Sequence, residues 1–216
     1  MNESTTPSRV WLITGCSSGF GLALVSALLS REQRVIATAR QPGSLAELAA
    51  RYPETCRTLT LDVTDAAQVK AAVAEGAAAF GRPDVVVNNA GYGLIGAFEE
   101  LGTEQIARNF SVNLFGALEV IRAVLPILRA QGSGHIVNIS AAVISNYAGF
   151  SIYGATKWAL EGVSESLAAV ESSTPPLRLV LGKYANGKVR KNFADAEKER
   201  AAWEHIGWPT DSIATL

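Results

Sequence analysis

The stretch RVWLITGCSSGFGLALVSALLSR, residues 9–31, decides how this chain folds. Residues 9–14 are a short, nearly continuous apolar run, the pattern of a strand covered on both faces. Gly15, Gly19 and Gly21 then break the run, with Cys16, Ser17, Ser18 and Phe20 between them. Leu22, Val25, Leu28 and Leu29 recur at helical spacing and predict a helix over residues 20–31. In a strand, glycine loop, helix unit, the loop's N–H groups and the helix dipole make an anion site. The spacing is Gly-x-x-x-Gly-x-Gly, not the Gly-x-Gly-x-x-Gly of the better-known dinucleotide fingerprint. Taken alone, such a loop serves as a tight turn as readily as a phosphate cradle.

The pattern then recurs along the chain. Residues 34–39 read as a second strand, 45–52 as a helix, and 57–61 as a third strand ending in Asp62-Val63. Residues 66–80 form an Ala-rich helical stretch that stops at Gly81, and residues 84–87 a strongly apolar fourth strand ending in Asn88-Asn89-Ala90-Gly91. A long helical stretch over residues 103–129 carries Asn113 in its middle, with Pro126 as a kink or restart. A fifth strand, residues 135–139, ends at Ser140. Five strands alternating with helices specify an α/β fold: one doubly wound parallel sheet with helices on both faces, a Rossmann fold in a single domain. The strands' carboxyl ends carry Gly15, Arg40, Asp62, Asn88 and Ser140 in turn, and ligands of open α/β sheets bind at that edge.

The end of the second strand bears on the ligand. In a dinucleotide site an acid there binds the ribose 2′-hydroxyl, whereas an Arg accommodates a 2′-phosphate. Here Ala39 is followed by Arg40, with no acid until Glu47, which favours NADP(H) and leaves NAD(H) possible. The plainer reading is an Arg in solvent at a strand end.

The stretch GHIVNISAAVISNYAGFSIYGATKWALEG, residues 134–162, adds chemistry. A helix beginning near Ser151 carries Tyr153 and Lys157, which are four apart and share a face. A phenol of pKa ~10 is a poor acid or base at neutral pH, and a nearby cation lowers that pKa. Ser140, at the strand's end, is placed to reach the same pocket. An isolated Tyr and Lys on one helix is more often accident than design; the other strand ends change those odds.

Composition removes several classes of function. Apolar residues make up 48% and charged residues 18% of 216, an ordinary globular balance. A net charge of −1 gives no reason to expect nucleic acid or an anionic membrane as partner. Cys16 and Cys56 form no CxxC, which fits a reducing, cytoplasmic setting. Residues 1–8 do not read as a signal peptide, and no apolar run approaches the ~20 residues that span a bilayer. His135 lies inside a strand without a second ligand, His205 is isolated, and no metal motif occurs.

The motifs together resemble the short-chain dehydrogenase/reductase family over residues 9–168. Thr14-Gly15 with Gly19 and Gly21 is similar to its cofactor loop, Asp62-Val63 to its adenine contact, and Asn88-Asn89-Ala90-Gly91 to its NNAG motif. Ser140, Tyr153 and Lys157 match its Ser, Tyr-x-x-x-Lys arrangement, and Asn113 stands at its fourth catalytic position. VIATAR, residues 35–40, resembles the NADP-preferring type, although Ser18 stands where a Lys or Arg often precedes the second glycine. The resemblance implies hydride transfer between NADP(H) and a carbonyl or secondary alcohol, an oxidoreductase of the EC 1.1.1 type. The implied cofactor contacts are Gly15, Ser17, Ser18, Gly19, Phe20, Gly21, Arg40, Asp62, Val63, Asn89, Ala90, Gly91, Tyr153 and Lys157. In the implied roles, Tyr153 exchanges the substrate proton and Ser140 holds the substrate oxygen. Lys157 depresses the Tyr153 pKa and binds the nicotinamide ribose, and Asn113 fixes a helix distortion and a water leading to Lys157. Substrate-side candidates besides Ser140 and Tyr153 are Tyr92, Leu94, Ile95, Ala142, Tyr147 and Phe150, mostly apolar, which suggests a lipophilic carbonyl compound. A homodimer or homotetramer is also implied.

The tail departs from the family pattern. Residues 1–8 are expected to be a flexible N-terminus, 9–171 the dinucleotide-binding and catalytic part, and 172–216 a strand and helix of the same domain. Residues 177–181 read as a strand and 188–205 as a charged amphipathic helix, but the strand ends in Gly182-Lys183 with no Pro-Gly after it. The sixth-strand, Pro-Gly and substrate-covering segment of the family is therefore expected to be missing. Three explanations stay open: a segment absent from the sequence, a truncated natural protein, or residues 177–181 in the sixth-strand place. Without that cover the nicotinamide end closes poorly, and a dinucleotide-binding protein with little or no turnover becomes the alternative.

Overall fold

A computed structural model describes residues 8–141 and 148–171, together with six positions between 191 and 201. Ala142 and Tyr147, the strand expected over 177–181 and most of the helix expected over 188–205 lie outside the described residues, as do residues 1–7.

The strands are β1 Val10–Ile13, β2 Arg34–Ala39, β3 Cys56–Thr60, β4 Val85–Asn88 and β5 His135–Asn138. They form one sheet, all parallel, in the order β3-β2-β1-β4-β5. The helices are α1 Gly19–Leu29, α2 Ala46–Arg51, α3 Ala66–Phe80, α4 Thr103–Phe110, α5 Gly116–Gln131 and α6 Ser151–Glu171. This is the doubly wound arrangement expected from the alternation.

The apolar runs of the strands are explained by burial on both faces. Leu12, Ile36 and Val86 point into a core completed by Val69 and Val73 of α3 and Val120, Val124 and Leu128 of α5. Their neighbours Ile13, Val35, Ala37, Val85 and Val87 point the other way, into a core with Val25, Leu28 and Leu29 of α1. One-residue alternation thus serves two cores, so no polar face survives in the sequence.

The long stretch expected over 103–129 is two helices joined by a π turn, Ser111–Phe115, and Pro126 sits inside α5 without ending it. By length and composition Thr103–Gln131 could cross a membrane. Its apolar side is instead spent on the sheet, where Val120, Ile121, Val124 and Leu128 are buried, as in a core helix.

β1 and β4 are neighbours although β2 and β3 intervene in sequence, so the loops after β1 and β4 diverge from a common crevice. That switch point is where open α/β sheets hold ligands. β5 is the outermost of the five described strands on its side, and His135 and Val137 are exposed.

Candidate active site

Thr14, the last residue before the glycine loop, joins the two loops of the crevice. It is 1% exposed, and its Oγ1 accepts from the N–H groups of Asn89 and Ala90, both at 3.0 Å. Asn89 returns the contact: its side-chain amide donates to the carbonyls of Thr14 and Gly15, each at 2.9 Å. Asn89 therefore acts as a clamp between loops, and its backbone N–H and that of Ala90 are already committed to Thr14.

Glycine is required where the loops meet. Gly15 has φ +69°, and a Cβ there would lie 2.7 Å from Ala90 Cα; one on Gly21 would lie 2.5 Å from Asn89 Nδ2. Gly19, at φ +58°, faces open space, and Ser17, Ser18, Gly19 and Phe20 line an exposed rim at the start of α1. No side chain caps that helix, so its first N–H groups are left to a ligand or solvent. An uncapped helix start behind an open glycine is a cradle for a phosphate anion. Cys16 is a buried filler: its Sγ donates to the Ile13 carbonyl, and burial pushes its thiol up to about 12.

At the next strand ends the charges gather. Arg40 is exposed at the end of β2. Asp62 accepts from the Thr64 N–H at 3.0 Å and the Thr64 hydroxyl at 2.7 Å. These bonds hold its carboxyl below the usual range, and the charges of Arg40 and Arg108 add to the effect. Arg108, on α4, was not singled out in the sequence. The Val63 side chain packs into the core against Gly116, so it is a structural contact there.

The acid–base group assembles around Lys157, which is 4% exposed and donates to the Ile139 carbonyl at 2.7 Å. Its Nζ lies 5.8 Å from the centre of the Tyr153 ring. A Cβ on Gly91 would sit 3.5 Å from the same Nζ, so the β4 loop, the β5 end and α6 converge on this cation. Ser140, one residue beyond Ile139, has a buried hydroxyl with no hydrogen-bond partner among the described residues. A buried orphan hydroxyl costs free energy unless something else completes it. The open glycine cradle, the orphan hydroxyl and the buried ammonium on one crevice fit a dinucleotide with a substrate oxygen beside it.

Two expectations meet particular surroundings. Burial pushes the Tyr153 phenol up, and the Lys157 Nζ lies 5.8 Å from the centre of its ring. Burial also brings Lys157 down to about 8. Asn113 does lie in a helix distortion, the π turn. Its side chain, however, is spent on protein: Oδ1 accepts from the Tyr92 N–H, and Nδ2 donates to the Tyr92 carbonyl and Thr156 Oγ1. Asn109 and Thr156, both fully buried partners of that amide, were missed. An Asn one turn before Asn113 was the available signal for Asn109.

On the substrate side, Leu94 is partly buried, while Tyr92, Ile95 and Phe98 expose 39%, 63% and 63% of their surface. Gly96 N–H donates to the Gly149 carbonyl at 3.0 Å, which brings this loop beside Phe150 and its edge-on partner Tyr153. Tyr147 lies outside the described residues. Among the described residues no cluster could hold a metal ion.

The arrangement is a doubly wound α/β sheet whose switch point gathers a glycine loop, a buried ammonium and a phenol. The short chain dehydrogenase profile matches residues 9–174, and the chain belongs to the short-chain dehydrogenase/reductase family. It is 44% identical over 163 residues to oxidoreductase BOA17 of Botryotinia fuckeliana, covering 74% of this chain and 60% of that protein. It is 41% identical over 174 residues to human 17-beta-hydroxysteroid dehydrogenase type 1, covering 74% of this chain and 52% of that one. The chain thus spans a little over half the length of these relatives. A short-chain dehydrogenase from Streptomyces avermitilis superposes with a TM-score of 0.88 at 32% identity, over 94% of this chain and 99% of that one. A metagenomic short-chain oxidoreductase solved with NADP gives 0.71 at 32% identity over 77% of each chain.

Proposed function

We propose that the protein is an NADP(H)-dependent carbonyl reductase acting on lipophilic carbonyl compounds in the cytoplasm. The observation that carries this is the convergence of the Tyr153 phenol, the orphan Ser140 hydroxyl and the Lys157 ammonium beside Gly91. When bound, the dinucleotide supplies a hydride to the carbonyl carbon. Ser17, Ser18, Gly19 and Phe20 line the phosphate rim, and Lys157 serves the ribose end. Arg40 is the cation for a 2′-phosphate, and a metagenomic relative of this fold was solved with NADP. Tyr153 donates a proton to the substrate oxygen, and Ser140 holds that oxygen by its hydroxyl. Tyr92, Ile95 and Phe98 offer apolar surface to the substrate.

Pairing of copies belongs to the same reading: Phe115 and Trp158, 56% and 50% exposed, flank the contact between α5 and α6. Light scattering tests for a dimer or tetramer.

The decisive experiment follows NADPH oxidation against a carbonyl panel for wild type and Tyr153→Phe. Turnover in wild type, abolished in the variant with NADPH affinity within about twofold, supports the reading. NADPH binding without oxidation across the panel overturns it and leaves a dinucleotide-binding protein.

A further inference from the structure

Two asparagines a helical turn apart close on the backbone of one residue, Tyr92. Asn109 of α4 and Asn113 of the π turn are 0% and 1% exposed. The Tyr92 carbonyl accepts from Asn109 Nδ2 at 3.0 Å and from Asn113 Nδ2 at 2.9 Å, so both its lone pairs are used. The Tyr92 N–H donates to Asn113 Oδ1 at 2.9 Å, and Asn113 Nδ2 also reaches Asn109 Oδ1 at 3.4 Å.

One donor satisfies a buried carbonyl, and Asn113 supplies it. A second fully buried amide carries a desolvation cost that an apolar residue at 109 would avoid. What the second bond adds is restraint, because a carbonyl gripped from two successive turns cannot swing. The backbone so gripped lies at the start of the exposed loop that follows β4. It also borders the crevice: a Cβ on Gly91 would lie 3.1 Å from Asn113 Oδ1 and 3.5 Å from Lys157 Nζ. Asn113 holds the Gly91–Tyr92 peptide by the Tyr92 N–H, and Asn109 helps hold the following peptide by the Tyr92 carbonyl, so Tyr92 is fixed on both sides.

We propose that Asn109 is a positioning residue, which locks the Gly91–Tyr92 backbone onto α4 so that it forms a fixed wall of the dinucleotide cleft beside Lys157. This rests on the dinucleotide-binding reading and names the residue that shapes that cleft.

Two variants of the full chain test it. Asn109→Leu keeps the size and removes both polar groups; Asn109→Ala removes the amide without introducing a buried charge. NADPH affinity is read by fluorescence, and melting temperature with and without NADPH. A positioning role weakens NADPH binding about tenfold in both variants and removes most of the NADPH-induced rise in melting temperature, while unliganded melting falls only slightly. Lower unliganded melting with NADPH affinity within about twofold of wild type overturns the inference. Should neither variant fold, NMR of wild type decides. The Asn109 side-chain amide resonances shift on adding NADPH if the residue positions the cleft, and unmoved resonances overturn the proposal. Wild type that binds neither NADPH nor NADH overturns the dinucleotide reading together with this one. Wild type and variants that bind alike overturn this one alone.

Discussion

Lys157 donates a 2.7 Å hydrogen bond to the carbonyl of Ile139, and so fastens α6 to the end of β5 one residue before Ser140. The bond fixes the cation, but burial brings its pKa down to about 8, against ~10.4 for an exposed lysine. Below about pH 8 the ammonium is charged in both folded and unfolded chains, and the cost of burying it is fully present. From about pH 8 to ~10.4 the unfolded chain holds more protons, so stability rises with pH. Lys157→Met removes the buried charge at the expense of one hydrogen bond, a net gain of about 2 kcal/mol at pH 7. Its melting temperature should rise by about 4–8 °C, and the stability gain between pH 8 and 10 should vanish. Calorimetry across pH checks this; a lower melting temperature at pH 7 would refute it. NADPH affinity and turnover should fall in the same variant.

Gly19 and Gly81 separate conformational strain from function. Both have positive φ, +58° and +82°, and open space where a Cβ would go, but only Gly19 borders the crevice. Gly19→Ala should cost about 1 kcal/mol of stability, and Gly81→Ala, with ψ −175°, about 2–3 kcal/mol. Gly19→Ala should weaken NADPH binding at least about tenfold, because the methyl occupies the phosphate cradle, whereas Gly81→Ala should leave it unchanged. Titration of both variants decides, and equal affinities would remove Gly19 from the site.

Thr14 tests the joint between loops. Thr14→Val preserves shape and leaves the N–H groups of Asn89 and Ala90 without their acceptor. Two buried donors left unpaired should cost about 2 kcal/mol or more, seen as a lower midpoint in urea. A midpoint within error of wild type would show that the loops hold without it.

Arg40 sets cofactor choice in the proposed reading. Arg40→Ala should weaken NADPH about tenfold or more and leave NADH within about twofold, since only the former carries the 2′-phosphate. Equal loss for both dinucleotides would assign Arg40 a structural role.

The parallel, doubly wound sheet was legible because its strands alternate with helices and end in marked loops, whereas the strand order came from the structure. The helix over residues 66–80 matches α3 residue for residue, with Asp65 capping its start and Gly81 ending it. The 103–129 stretch was read as one helix because a π turn leaves no composition signal: Ser111–Phe115 continues the same apolar face while shifting its phase. Asn109 was passed over for a related reason. A polar residue on a helix reads as solvated until tertiary packing buries it, and here a backbone carbonyl from another loop supplies its partner.

What the residues by themselves determined was the architecture and the inventory of the site: glycines where backbones must approach, an arginine and an asparagine at strand ends, and a Tyr and Lys on one helical face. Local pattern suffices for these because periodicity and turn chemistry act over a few residues. What only the tertiary structure decided was the electrostatic state of that inventory. Tyr153 is pushed up and Lys157 down because both are buried, and burial depends on elements far apart in the chain. Charge in a protein is set by what surrounds it, and the surroundings exist only once the loops after β1 and β4, the end of β5 and helix α6 have met.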